Sequence, residues 1–229
     1  AVLLGRRSAD ESVDTGAPAR AAPDASWVAT VGPKLDNRRV RIWDVATGRE
    51  RFVFELDNSV TCMAASPDGR RLAVGLFDLP RITSHTVVAF DPVSGERVFD
   101  LPTRRKGVTA LTFSADGRQL AVGFNGAIQL WDVPGRTLGR TLEGFERGVT
   151  RLAFSPAGDL LAAGTQDGQV WVWTAATGRR TQVIDTGTRG VRSLAFSPDG
   201  KLLVTATNRA PVAVWEVAPE PADGSEQDT

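Results

Sequence analysis

The chain has one cysteine, one histidine, one methionine and no tyrosine in 229 residues. A lone Cys62 excludes an internal disulfide and a cysteine metal cluster. A small strand residue accounts for it better than a reactive thiol, and the lack of disulfides favours the cytosol. Only His85 could serve a serine, threonine or cysteine nucleophile as base. Ser84 beside it in sequence does not make a dyad. Clustered histidines, cysteines or carboxylates of metal-binding spacing are missing, and so is a glycine-rich loop opening a helix. Neither a metal nor a cofactor is expected. An apolar run near twenty residues is absent too, so the chain holds no complete membrane span. Net charge is zero, unevenly spread: residues 27–217 carry 24 basic and 19 acidic groups. That excess is too mild for a nucleic-acid footprint.

What is present is a repeated unit, clearest at residues 149–180, VTRLAFSPAGDLLAAGTQDGQVWVWTAATGRR. VTRLAFS alternates with period two, the strand signal. Strict alternation places Thr150, Leu152 and Phe154 on one face and Val149, Arg151 and Ala153 on the other. Residues 155–158 (SPAG) form a turn, with Pro presetting φ and Gly suiting the fourth position. Residues 160–163 form a second strand, QDG a hairpin turn, VWVW a third strand, and residues 175–178 a closing turn. Helical periodicity is absent throughout.

The turn recurs as SPDG at 66–69, SADG at 114–117 and SPDG at 197–200. The residue six before each Ser is Val60, Val108, Val149 or Val191, spaced by 48, 41 and 42 residues. A period near forty is the mark of stacked four-stranded sheets. A worn fifth copy lies upstream: APDA at 22–25 replaces the turn, SWVATVG matches the second strand and VRIWDVATG the third. Its first strand, near 16–22, has little apolar content and is doubtful. One third-strand column is Trp43, Phe90, Trp131, Trp173 and Trp215. An aromatic at the same place in every sheet is a packing element, not a cofactor box.

With these turns, the Trp-Asp pairs at 43–44 and 131–132, and the TG or SG dipeptides at 47–48, 94–95 and 177–178, the chain resembles the WD-repeat β-propeller family, in a bacterial type with SPDG turns. The resemblance covers about residues 19–217 and implies an all-β fold: a propeller of about five four-stranded antiparallel blades, either a small ring or an arc of a larger one. The copies run 19–56, 60–101, 108–142, 149–184 and 191–217. The family pattern also includes a hydrogen-bonded set in each blade. Thr165, Asp167 and Trp173 keep part of it. The Asp column elsewhere reads Asn37, Ser84, Asn125 and Arg209, and the family His is missing. The blades are therefore expected to hold by packing and backbone ladders.

Three readings compete for AVLLGRR at the start: a strand closing the last blade, the tail of a membrane helix, or a frayed remnant. A chain beginning with Ala reads as a processed product or a piece of something longer. Residues 8–18 read as linker. Residues 218–229, acidic and with two prolines, read as a disordered tail.

The resemblance implies a non-enzymatic protein–protein interaction scaffold within a larger assembly or multidomain regulator. The alternative is a sensor or ligand-binding module using the central channel or a cationic loop face for an acidic peptide or small molecule. Candidate partner-binding residues lie in the copy-two insertion, residues 77–86 (Phe77, Asp78, Leu79, Arg81, His85), and in a cationic rim of Arg104, Arg105, Lys106, Arg147, Arg189 and Arg209. Guanidinium groups suit acidic or phosphorylated segments of other proteins because they match carboxylate and phosphate bidentately.

Overall fold

The computed structural model describes residues 19–32, 37–77, 87–103, 105 and 107–217. The segments 1–18, 33–36, 78–86 and 218–229, with residues 104 and 106, lie outside it. Outside it, therefore, fall the proposed closing strand, the acidic tail and most of the copy-two insertion.

Five antiparallel sheets follow one another along the chain, with no helix among the described residues. The first holds β1 (Ala19–Ala21), β2 (Trp27–Val31), β3 (Arg39–Asp44) and β4 (Glu50–Glu55). The second holds β5 (Ser59–Ala65), β6 (Leu72–Phe77), β7 (Val87–Phe90) and β8 (Arg97–Leu101). The third holds β9 (Ala110–Phe113), β10 (Gln119–Gly123), β11 (Ile128–Asp132) and β12 (Thr137–Leu142). The fourth holds β13 (Val149–Phe154), β14 (Leu160–Thr165), β15 (Gln169–Thr174) and β16 (Arg180–Asp185). The fifth has three strands, β17 (Val191–Phe196), β18 (Leu202–Thr207) and β19 (Ala213–Glu216). Each sheet is a meander, and the first strands pack side by side in the order β1, β5, β9, β13, β17. This is the blade arrangement of a propeller.

The apolar core lies between blades. Four buried clusters correspond to the four successive interfaces. Successive strand residues point to opposite faces, so one strand feeds two interfaces. Leu120 and Val122 of β10 pack toward the second blade, while Ala121 between them packs toward the fourth. Described residues form no such cluster between the fifth blade and the first. The fifth blade also leaves Val212 and Val214 exposed, and among the described residues β19 has no outer partner.

The shared turn owes its form to its own residues. In blades two to five the fourth-position glycine N–H donates to the first-position carbonyl at 2.9 Å with φ between 67° and 76°. Ala25 occupies the same place in the worn copy with φ 56°. β1 completes this first blade, pairing with β2 from Ala19↔Thr30 to Ala21↔Val28. The strand doubted for its composition forms because β2 and its backbone ladder recruit it.

The strict alternation expected at 149–154 is broken by a bulge between Val149 and Arg151. The extra residue shifts the pleat by one. Val149 therefore joins Leu152 and Phe154 in the core instead of facing the other way with Arg151 and Ala153. Matching bulges sit between Val60 and Cys62 and between Val191 and Ser193. The freed Thr61 hydroxyl donates to Val108 O of the next blade at 2.6 Å, and Thr150 to Val191 O at 2.7 Å. These are clasps between blades.

The aromatic column is in register. Trp43, Phe90, Trp131, Trp173 and Trp215 oppose Val28, Leu72, Leu120, Leu161 and Leu203. Phe90, Trp131 and Trp173 are buried; Trp43 and Trp215, in the end blades, are half-buried. The expectation of packing and ladders alone is corrected: blades one and five keep the second-strand Thr to third-strand Trp bond of the family's hydrogen-bonded set. Trp43 Nε1 donates to Thr30 Oγ1 and Trp215 Nε1 to Thr205 Oγ1, both at 2.9 Å. Thr165 bonds Asp167 in blade four. Trp27, fully buried, ties blade one to blade two through Nε1 to Gly69 O at 3.0 Å.

Candidate functional site

The connections between blades and the turns between second and third strands share one face. There the first strands bound a concavity of about 710 Å³. Phe77, half exposed, stands on its wall where β6 ends. Asn125, Gln166 and Asn208 supply amide groups from the second-to-third-strand turns, and Arg151 and Arg192 reach it from β13 and β17.

The rim residues separate into groups. Arg105, expected as a free cation, pairs with Glu143, so the connection before blade three and the one after it neutralise each other. Arg147, Arg189 and Arg209 are exposed and have no ion pair among the described residues. Asp78, Leu79, Arg81, His85, Arg104 and Lys106 lie outside the described residues.

Three arginines absent from the expected set stand on first strands, and two of them, Arg151 and Arg192, line the concavity. Arg151 is held below the usual guanidinium value by partial burial, then by the charges of Arg20 and Arg192. Their hydrogen bonds go to neutral groups: Arg20 Nη1 to Ala19 O at 3.0 Å, Arg151 Nη1 to Thr150 O at 2.6 Å, and Arg192 Nε to Asn208 Oδ1 at 2.6 Å. The signal was in the repeat. Arg151 stands where other copies have Cys62, Ala110 and Ser193, and a large cation in a column of small neutral residues marks an altered surface.

Burial pushes the Cys62 thiol up to about 12, the Thr61 hydroxyl and the nearby arginines offsetting only part. It therefore stays protonated and unreactive at neutral pH. Thr109 on the concavity wall has a buried hydroxyl without a partner among the described residues, although its equivalents Thr61 and Thr150 form clasps. No group of three His, Cys, Asp or Glu among the described residues could hold a metal ion. No helix there is long and apolar enough to cross a membrane.

A stack of three- and four-stranded meanders with their first strands side by side and loops gathered on one face defines β-propeller blades, an architecture used as a binding platform. The family model "WD domain, G-beta repeat" matches residues 50–78, 95–132, 136–174 and 178–209. The chain belongs to the WD-repeat family. Each match begins at or near the outer strand of one blade and runs into the inner strands of the next, so repeat and blade are offset by one strand. The chain is 32% identical over 149 residues to WD repeat-containing protein SL1-17 of Schistosoma mansoni, covering 63% of this chain and 46% of that protein. It is 33% identical over 157 residues to the guanine nucleotide-binding protein subunit beta of Solanum tuberosum, covering 62% and 39%. To WD repeat-containing protein 82 of Drosophila melanogaster it is 28% identical over 160 residues, covering 65% and 48%. The aligned part is less than half the length of each of these relatives. Proteins of this family are generally non-enzymatic scaffolds that bind other proteins.

Proposed function

We propose that this chain is the docking portion of an interaction scaffold, and that its connection face receives an acidic segment of a partner protein within a larger assembly. The observation that carries the reading is the concavity on that face, bounded by Arg151 and Arg192 and ringed by Arg147, Arg189 and Arg209. None of these five has an ion pair among the described residues. Rim charges of one sign raise association rates and exclude like-charged partners. Rigid blades supply the fixed spacing, because each interface is a packed apolar core.

The test replaces Arg147, Arg189 and Arg209 together with Ser and compares the proteins captured from source lysate with those captured by the wild type. Loss of acidic partners, with the melting temperature retained, supports the reading. An unchanged set of partners overturns it. The alternative, a small anionic ligand in the concavity, is favoured by Arg151 and Arg192, which line it from the first strands and not from the rim.

A further inference from the structure

We infer that the concavity takes a short extended peptide with two anchors: an apolar side chain against Phe77 and a carboxylate at Arg151 and Arg192. This rests on the reading above for the choice of face and deepens it by naming the form of the segment received.

The two ends of the concavity differ in chemistry. Phe77, Asn125, Gln166 and Asn208 hold one column, each two residues beyond the second-strand residue that pairs with Cys62, Ala110, Arg151 or Ser193. All four line the concavity. The first strands pack side by side in blade order, so the column runs from an aromatic at blade two to amides at blades three, four and five. Arg151 and Arg192 enter the lining only at blades four and five. Blade three therefore stands between an apolar end and a cationic end.

At the apolar end, the fold does not ask for an aromatic, since the other three copies place amides there. Phe77 is 51% exposed. Its ring lies beside Gly107, with Cε2 3.9 Å from the place a Cβ would take. Gly107 also lines the concavity, and its lack of a side chain leaves the ring edge open. An open aromatic on a concave wall is the usual anchor of a protein interface.

In the middle, Asn125 Oδ1 and Gln166 Nε2 stand 2.7 Å and 2.9 Å from the place a Cβ at Gly148 would take. Two blades thus bring an acceptor and a donor to one spot. Among the described residues neither side-chain amide has a hydrogen-bond partner. Together they complement the N–H and C=O of a main chain passing over Gly148. At the cationic end, Arg192 gives Nε to Asn208 Oδ1 at 2.6 Å and keeps both terminal nitrogens. Arg151 gives Nη1 to Thr150 O at 2.6 Å and keeps Nε and Nη2. Each guanidinium retains a parallel pair of N–H groups, the fork that holds a carboxylate.

The order of these groups selects the occupant. A small anion would engage the arginines and leave Phe77 bare. A purely apolar ligand would leave the cations without a counter-charge. A peptide running from blade two to blade five meets the ring, the amides and the cations in turn. At about 710 Å³ the space holds a segment of a few residues.

Fluorescein-labelled peptides test this by anisotropy with the purified chain. Each peptide carries one leucine and one Asp-Glu pair, separated by one to four serines, in both orders. Saturable binding at a preferred spacing and order is expected. Replacing the leucine by serine, or the acidic pair by Asn-Gln, should each weaken that peptide about tenfold or more. Phe77→Ser should weaken the parent peptide about tenfold and leave the leucine-free peptide unaffected. Arg192→Gln should weaken the parent and leave the peptide without the acidic pair unaffected. Asn125→Ala combined with Gln166→Ala should weaken every peptide alike, because it acts on the main chain. All four side chains are exposed, so melting temperatures should match the wild type. No binding at any spacing, or a Phe77→Ser loss equal with and without leucine, overturns the inference. So does binding through the acidic pair that leucine does not improve. That outcome, with protein capture lost in the rim variant, leaves the acidic-segment reading standing without the second anchor. Two-anchor binding with capture unchanged in the rim variant keeps this groove and removes that reading.

Discussion

The spacing between blades is set by a glycine in the second strand. Gly75, Gly123 and Gly164 occupy one column, and the valine that opens the next blade lies against each: Val108, Val149 and Val191. A Cβ at Gly123 would meet Val149 Cγ1 at 2.9 Å, Val149 Cβ at 3.2 Å and Leu152 Cδ1 at 3.3 Å. A Cβ at Gly164 would meet Val191 Cγ1 at 2.5 Å and Val191 Cβ at 2.6 Å. Overpacking of this kind costs about 1–3 kcal/mol, with Gly164→Ala at the upper end. The partners distinguish the two sites. Val149→Ala alone should cost about 2 kcal/mol, from lost methyl burial and a small cavity. In the double variant Gly123→Ala/Val149→Ala the new methyl group occupies the vacated space, so the loss should stay near about 2 kcal/mol and the pair should couple by about 1 kcal/mol or more. Val191→Ala cannot relieve Gly164→Ala in the same way, because the atom at 2.6 Å is a Cβ that alanine retains. There the blades must part, and coupling should fall below about 0.5 kcal/mol. Urea unfolding followed by tryptophan fluorescence measures all six variants. Simple additivity at the 123/149 pair, or rescue at 164/191 as large as at 123/149, would refute the glycine-and-valine account of blade spacing.

Thr61→Val and Thr150→Val should each cost about 1 kcal/mol by removing a clasp between blades, whereas Thr109→Val should be neutral or stabilising because its buried hydroxyl has no partner; urea midpoints decide. Asp167→Ala, which deletes the carboxylate bonded to Thr165, should cost no more than about 1–2 kcal/mol, and a much larger loss would mean that a wider polar network depends on it. Cys62 should resist iodoacetamide at pH 8 in the folded chain and react fully in urea, since its thiol is pushed up to about 12; rapid labelling of the folded chain would contradict its burial. Asp116 and Asp199 are held below the usual carboxylate range by the Ser114 and Ser197 hydroxyls and then by the N–H groups of Arg118 and Lys201, and Asp68 likewise where Ser66 and its neighbours outweigh the opposing effect of burial. Their lowered values add stability above the unfolded carboxylate value of about 3.9 that is lost as pH falls through the folded values. Urea midpoints should therefore drop below about pH 4, and less steeply when Ser66, Ser114 and Ser197 are all replaced by Ala.

Much of the architecture was written locally. The SPDG-type turns are made by residues adjacent in sequence, since a serine, an aspartate two places on and a glycine with positive φ close the loop among themselves. The aromatic column was legible because every blade needs a large apolar residue opposite the same second-strand position. Blade order followed from repetition, and the family from the resemblance of its turns, Trp-Asp pairs and TG or SG dipeptides.

What required the tertiary structure is whatever depends on two blades at once. Period-two patterning does not reveal a bulge, because the extra residue at Thr150 is paid for by a hydrogen bond to Val191 in the next blade. The first strand of the worn copy has little apolar character and forms through its ladder to β2. Arg105 looked like a free rim cation until Glu143, thirty-eight residues away, was placed beside it. Arg151 and Arg192 fall in different columns of different copies, so no alignment of the repeats shows that they line one concavity. Sequence determined the blades, because strands and turns are local. Packing of one blade on the next decided which side chains share a surface, because only the stacked first strands bring Arg151 of blade four and Arg192 of blade five to one concavity.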